Sequence, residues 1–301
     1  MERFPDGARV CFVGDSITAV YDFEGQIAQY YRDNFRDSNV RIYNCGVSGG
    51  RAWTQLNFLE KDTLIHSPTH AVVMLGVNDS ARWLLGAEKT IERYEGLERA
   101  YETYKVKLPE LCDALEKAGA EIILCTPAPY AEYMDSEDPA LRGGFALVAA
   151  YAEFCRQLAE KRGYPLCDFH NHFAKKIQTE KLYNDDRIHP NSAGHYEMAK
   201  LFLAMQGLDL GEQKPLPDDF KELVKEAMIL RDVLSAEINV IANYNYTLPV
   251  EEKYKYVREY LASGRAPGEY YKRIAQVFLD YNSRWDEQME KVRNLTDKLM
   301  G

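Results

Sequence analysis

The sequence predicts an α/β protein, a three-layer α/β/α sandwich on a five-stranded parallel sheet with an α-helical C-terminal extension. Three observations predict it. Five short apolar runs alternate with helical patterns, which is the mark of successive β-α-β units. The runs are nearly unbroken rather than interleaved with polar residues, as strands covered on both faces by crossover helices require. Past about residue 210 the alternation stops and only helical periodicity continues.

In chain order, strands are read at Val10 to Val13, Val40 to Tyr43, Ala71 to Leu75, Glu121 to Cys125 and Tyr164 to Cys167. Helices are read at Phe23 to Phe35, Glu88 to Ala118, Phe145 to Lys161 and Ser192 to Met205. Ahead of the last helix, Asn191 or Ser192 is placed to cap the free amides of its first turn, which puts His189 in the loop just before it. The segment Gly207-Leu208-Asp209-Leu210-Gly211, with Pro215 and Pro217 behind it, marks a boundary near residue 210. Residues 1–210 are read as the α/β domain and 211–301 as the helical extension. There Leu223, Ala227, Leu230, Leu234, Ile238 and Ile241 step by three and four. So does the run from Tyr270 through Ile274, Phe278, Tyr281, Trp285, Met289, Val292 and Leu295 to Leu299. Two long amphipathic helices follow, with a shorter one near Val250 to Leu261 between them. No histidine occurs beyond His195 and the extension has no cysteine. Its expected work is therefore to shape, cover or dimerise the α/β part, including as a homo-oligomer contact, rather than to supply proton chemistry.

Composition excludes several classes. With 301 residues, 46% of them hydrophobic, the chain has ample core material for a globular fold. A net charge of -10 repels phosphate backbones and no basic stripe reverses it locally, so nucleic acid is not an expected partner. No run approaches the roughly 18 apolar residues of a membrane span. The start Met1-Glu2-Arg3-Phe4-Pro5-Asp6-Gly7 lacks the apolar core of a secretory signal, so a soluble, cytoplasmic protein with no membrane partner is expected. Cys11, Cys45, Cys112, Cys125, Cys155 and Cys167 form no C-x-x-C pair and several fall within expected strands or helices, where a reduced cysteine packs as a small apolar residue.

In a parallel open sheet, ligands gather outside the carboxyl ends of the strands. Gly14-Asp15-Ser16 follows the first strand, Asn44 to Gly50 the second, Gly76-Val77-Asn78-Asp79 the third, and the loop Asp186-Arg187-Ile188-His189-Pro190 comes after the fifth. A serine hydroxyl is a poor nucleophile at neutral pH and needs a base within hydrogen-bond reach; a neutral imidazole suits that task, and His189 is the candidate. A carboxylate on the far ring nitrogen fixes the useful tautomer, and Asp186, three residues away, is positioned to do so. A developing oxyanion needs donors fixed in advance, each worth about 3 kcal/mol of barrier. The amides of Ser16 and Gly49 and the side chain of Asn78 are the candidates.

These blocks resemble the SGNH hydrolases, also called the GDSL esterase/lipase family. G-D-S-I reads here as Gly14-Asp15-Ser16-Ile17, N-x-G-[IV]-S-G as Asn44 to Gly49, G-x-N-D as Gly76 to Asp79 and D-x-x-H-P as Asp186 to Pro190. The resemblance covers about residues 8 to 206. It implies a flavodoxin-like sheet, a nucleophile at Ser16, oxyanion donors at Gly49 and Asn78, with Gly46 and Gly50 as neighbouring glycines, an acid at Asp186 and a base at His189. It implies no cofactor and no metal, and a small-molecule carboxylic ester as substrate. One departure is Gly50-Arg51, where the family often has Asp-Thr or Glu-Thr.

Other features take plainer readings. His170-Asn171-His172 offers two histidines without a third partner and is read as polar loop residues. Asp15 and Asp79 are read as bracing their loops through backbone hydrogen bonds. The aromatic stripe of the last helix is read as core. The expected activity is hydrolysis of short-chain acyl esters through an acyl-enzyme, acetyl esters of carbohydrates above all, because no long apolar segment suggests an interfacial lid. The alternatives are a lysophospholipase or thioesterase of the same family, or a noncatalytic assembly protein that uses the helical extension.

Overall fold

The computed structural model describes residues 1–86, 88–134, 139–230 and 269–300, with the side chains of 269–284 left aside. Strands β1 (Arg9–Gly14), β2 (Arg41–Gly46), β3 (His70–Met74), β4 (Glu121–Cys125) and β5 (Leu166–Cys167) form one parallel sheet in the order β2-β1-β3-β4-β5. β1 is central, in register with β2 from Arg9 opposite Arg41 to Gly14 opposite Gly46, and with β3 from Val10 opposite His70 to Gly14 opposite Met74. The strand order reverses between β1 and β3, and the crevice at such a reversal is where open sheets hold ligands.

Apolar strands bury both faces because the pleat sends neighbouring side chains opposite ways. Val10 and Phe12 join Val72, Met74, Ile123 and Cys125 in one core, whereas Cys11, Val13, Ala71, Val73, Ile122 and Leu124 join a second. The first core is covered by α2 (Phe23–Asn34), α6 (Phe169–Ala174) and α7 (Ser192–Met205), through Phe23, Ile27, Phe169, Phe202 and Leu203. The second is covered by α3 (Ala52–Phe58), α4 (Ile91–Lys117) and α5 (Gly144–Arg162), through Ala52, Leu108, Leu111, Cys155 and Leu158. Burying a side chain such as Phe12 or Leu108 stabilises the fold by about 1.5–3 kcal/mol. All six cysteines are free and buried. The four-residue helix α1 (Ser16–Ala19) sits at the end of β1.

Beyond α7 the chain crosses back over the α/β unit. The helix α8 (residues 218–230) and the long α9 (Glu269–Met300) pack together and onto it. Leu223, Ala227 and Leu230 meet Trp285, Met289 and Val292, and this cluster includes Tyr21 and Phe58. Lys291 and Gln288 of α9 both reach the carboxylate of Glu226 in α8, at 2.8 and 2.7 Å. Asp297 pairs with Arg41 of β2 at 2.7 Å, so α9 runs beside the edge strand and shields it from pairing with another chain. Phe220 and Met300 enter the core that contains Phe4. The stripe positions Leu234, Ile238 and Ile241, and the short helix expected near Val250 to Leu261, lie outside the described residues. Among the described residues, no helix is long and apolar enough to cross a membrane.

Candidate active site

The turn that carries Ser16 is compressed. A Cβ on Gly14 would sit 2.1 Å from Thr18 Oγ1, and one on Gly46 would sit 2.4 Å from the Ala19 amide nitrogen, so α1 can lie this close to the ends of β1 and β2 only where glycines stand. Asp15 caps α1, its Oδ1 accepting from the Ile17 amide at 2.9 Å. Ser16 is the first helical residue. Its amide belongs to the first-turn N–H groups that have no partner within the helix.

Ser16 Oγ lies 2.7 Å from His189 Nε2, and His189 Nδ1 lies 2.6 Å from Asp186 Oδ2. The other carboxylate oxygen of Asp186 accepts from the amides of Ile188 at 2.9 Å and His189 at 3.0 Å. Burial opposes ionisation of Asp186, but those amides and the imidazole outweigh it and hold its carboxyl below the usual range. Arg187, with φ at 62°, occupies the left-handed region, a strained setting for a residue with a side chain. The turn is pinned from both sides, by Arg187 N to Asn184 O, Ala131 N to Arg187 O and Asn184 N to His189 O, each 2.9 Å. A rigid loop of this kind holds an imidazole aimed at one hydroxyl.

The remaining two blocks meet beside this pair. Val47 N donates to Gly14 O at 3.0 Å, Gly50 N turns back to Val47 O at 2.7 Å, and Asn78 Nδ2 donates to Gly50 O at 3.2 Å. Gly49, at φ 72°, occupies the bend between them, and its amide has no acceptor among the described residues. Asn78 is buried and uses one of its two amide hydrogens on Gly50. Ser16, Gly49, Asn78, Asp186 and His189 are thus carried on loops that are bonded to one another. An alcohol, an imidazole, a carboxylate and amide donors in this order can form and break an acyl ester.

Three features were not legible in the motifs. Three tyrosines hold the Asn78 loop from behind: Tyr104 of α4 to Leu75 O at 2.9 Å, Tyr130 of the loop after β4 to Val77 O at 2.6 Å and Tyr151 of α5 to Asp79 O at 3.1 Å. For Tyr104 and Tyr151 the only signal was tyrosine at apolar helix positions; Tyr130, in a loop, had none. His170-Asn171-His172 does not form a loop but lies in α6; the reading failed because six residues are too few to show helical periodicity. His170 is buried against Phe145, and His172 pairs with Glu197 at 3.0 Å. Nor does the Asp186 loop follow the fifth strand directly, since α6 intervenes.

The third feature is a pair of buried carboxyls. As expected from the sequence, Asp15 and Asp79 brace loops, Asp79 Oδ1 accepting from the Ala52 amide at 3.0 Å. Burial pushes Asp79 up to about 7, against the pull of the Ala52 amide and Arg51 and with added repulsion from Asp15. Burial likewise raises Asp15 to about 6, against the Ile17 amide and His189. An unfolded aspartate titrates near 3.8, so the folded chain binds the extra Asp79 proton between there and about 7, and stability falls as pH rises through that window. Asp79→Asn keeps the acceptor for Ala52 and cannot ionise. The expected result is a smaller loss of Tm between about pH 5 and about pH 8 than the wild type shows; thermal denaturation at both values checks it, and an unchanged loss would remove Asp79 from the account.

Comparison with known proteins adds the following. The profile of the GDSL-like Lipase/Acylhydrolase family matches residues 12–196. An acetylxylan esterase of Geobacillus stearothermophilus is 26% identical over 227 residues, covering 69% of this chain and 97% of that one. An acetylxylan esterase of Xylanibacter ruminicola is 26% identical over 219 residues, covering 66% of this chain and 43% of its own length. The solved structure of the Geobacillus stearothermophilus acetylxylan esterase shares the fold, with a TM-score of 0.57 at 22% identity over 70% of this chain and 99% of that chain. A gut microbial diltiazem-metabolizing enzyme gives a TM-score of 0.60 at 26% identity, over 69% of this chain and 48% of its own.

Proposed function

Because this chain belongs to the GDSL-like lipase/acylhydrolase family and is a carboxylic ester hydrolase, we propose that it removes short acyl groups, acetyl above all, from carbohydrate esters through an acyl-enzyme on Ser16. The observation that carries the catalytic part is the 2.7 Å separation of Ser16 Oγ and His189 Nε2, with Asp186 on the far ring nitrogen. His189 takes the Ser16 proton as Oγ attacks the ester carbonyl, and Asp186 steadies the imidazolium that forms. The amides of Ser16 and Gly49 and the side chain of Asn78 receive the oxyanion. His189 passes its proton to the leaving alcohol. Water, deprotonated by the same imidazole, then cleaves the acyl-enzyme.

The acetyl-carbohydrate part is supported by the two acetylxylan esterase relatives. It is tested by an acyl-length series of p-nitrophenyl esters run beside acetylated xylooligosaccharides. Acetyl is expected to be the fastest ester of the series, with acetate released from the oligosaccharides. A rate that climbs steadily from acetyl to decanoyl, with no acetate released from the sugars, would turn the assignment toward a lipid or thioester substrate.

A further inference from the structure

A groove of about 770 Å³ opens beside the His189 loop, lined by chain neighbours of Ser16 and His189 rather than by those two residues, and its size is within the roughly 300–1,000 Å³ common for small-molecule sites. One wall, residues 20–22, continues from the helix that begins at Ser16. A second, residues 190–192, continues from His189. The third, residues 213–216, comes from the stretch that leads into α8 and lies outside the residues matched by the family. The stretch after residue 211 therefore adds one wall of this groove beside the His189 loop.

Its polar groups include several free acceptors. The Gln26 side-chain nitrogen is engaged by Asp22 at 2.9 Å, that of Asn184 by the Pro190 carbonyl at 3.3 Å, and that of Gln213 by Ser192, at 3.0 Å from its hydroxyl and 3.3 Å from its carbonyl. Each of these amides thereby keeps its oxygen for a ligand. Lys214 and Lys221 add two ammonium groups, that of Lys221 paired with Asp218 at 2.7 Å. At the base, His195 is 4% exposed, stacked on Phe23, and its Nδ1 is buried with no partner among the described residues. Burial pushes this imidazole down to about 4, against the Asp22 carboxylate, so it is neutral at ordinary pH and able both to donate and to accept. Val20, Leu216 and Val224, with Pro190 and Pro215, supply apolar surface. Several free acceptors, two lysines, a neutral imidazole and an apolar wall suit the hydroxyls and C–H face of a sugar; an acyl chain would leave the polar groups desolvated and unpaired.

We propose that this groove is the subsite for the hydroxyl-rich alcohol half of the ester, a glycosyl unit held there while its acyl group transfers to Ser16. This rests on the carbohydrate-ester reading above. Ser16 Oγ forms its bond to the acyl carbon as the bond from that carbon to the sugar oxygen breaks. The sugar oxygen takes the proton that His189 removed from Ser16, and the free sugar then leaves from the groove.

The test compares acetylated xylooligosaccharide with p-nitrophenyl acetate, whose phenol makes no demand on these groups. Gln213→Ala and Lys214→Ala alter exposed side chains and should each raise KM for the oligosaccharide about 5-fold, with p-nitrophenyl acetate kinetics unchanged. Leu216→Trp, which fills the groove, should raise it further. Titration of Ser16→Ala protein with deacetylated xylooligosaccharide should give binding heat that Leu216→Trp abolishes in the same background. If wild type releases acetate from the oligosaccharide but the alanine variants leave its KM unmoved, or shift both substrates alike, the groove assignment is wrong and the carbohydrate reading stands. If wild type hydrolyses p-nitrophenyl acetate and no acetylated sugar, the carbohydrate reading itself fails and takes the groove with it.

Discussion

Ser16→Ala is expected to lower kcat for p-nitrophenyl acetate by about a million-fold, and His189→Ala by a similar factor, with the double variant no worse than either single one. The reason is the shared proton at 2.7 Å. Without the hydroxyl there is no acyl-enzyme, and without the imidazole the hydroxyl is not activated, so each loss alone removes the whole device. What survives is the contribution of the oxyanion donors and binding, about 10³-fold over water. Steady-state kinetics on the four proteins, with folding checked by circular dichroism, gives the answer. Losses that simply multiply, or a Ser16→Ala protein that keeps a tenth or so of the wild-type rate, would mean that the two side chains do not act as a unit.

Asp186→Asn is expected to cost about 10⁴-fold in kcat while leaving the fold and KM nearly intact. The local hydrogen bonds dictate this outcome. The amides of Ile188 and His189 both donate to Oδ1, which must remain an oxygen, so the substituted NH₂ takes the place of Oδ2. That group sits 2.6 Å from His189 Nδ1 and can only donate to it. Nδ1 then becomes the unprotonated nitrogen and Nε2 carries the hydrogen, which points a donor at Ser16 instead of an acceptor. A loss smaller than tenfold would show that the carboxylate does not select the tautomer.

Where the chain carries long apolar runs or long periodic stretches, sequence and structure agree closely. β4 and α7 begin and end at the expected residues, and β1, α2, α4 and α5 differ at their ends by one to three residues. The fifth strand is shorter than read, Leu166–Cys167 in place of Tyr164 to Cys167, because Pro165 has no amide hydrogen to give the ladder. The helices α1, α3 and α6 went unread because four to seven residues hold too few turns for a period, and they exist through caps and tertiary packing. At the site, short motifs foretold that Ser16, His189 and Asp186 would meet, since each lies in a loop tied to a strand end or to a capped helix. The tyrosines behind the Asn78 loop and the groove walled by residues 213–216 depend on surfaces that touch only after folding, and no local pattern encodes them.

The core face beneath α2 and α7 contains Phe4, ahead of β1, and Met300, in α9. During translation the sheet can assemble once α7 has emerged, yet that face stays incompletely covered until nearly a hundred further residues have been made, about 5 to 20 s at ordinary elongation rates. In that interval the nascent protein presents greasy surface and the open flank of β2 to its neighbours. Chaperone capture, and aggregation of chains halted before α9 is synthesised, should concentrate there.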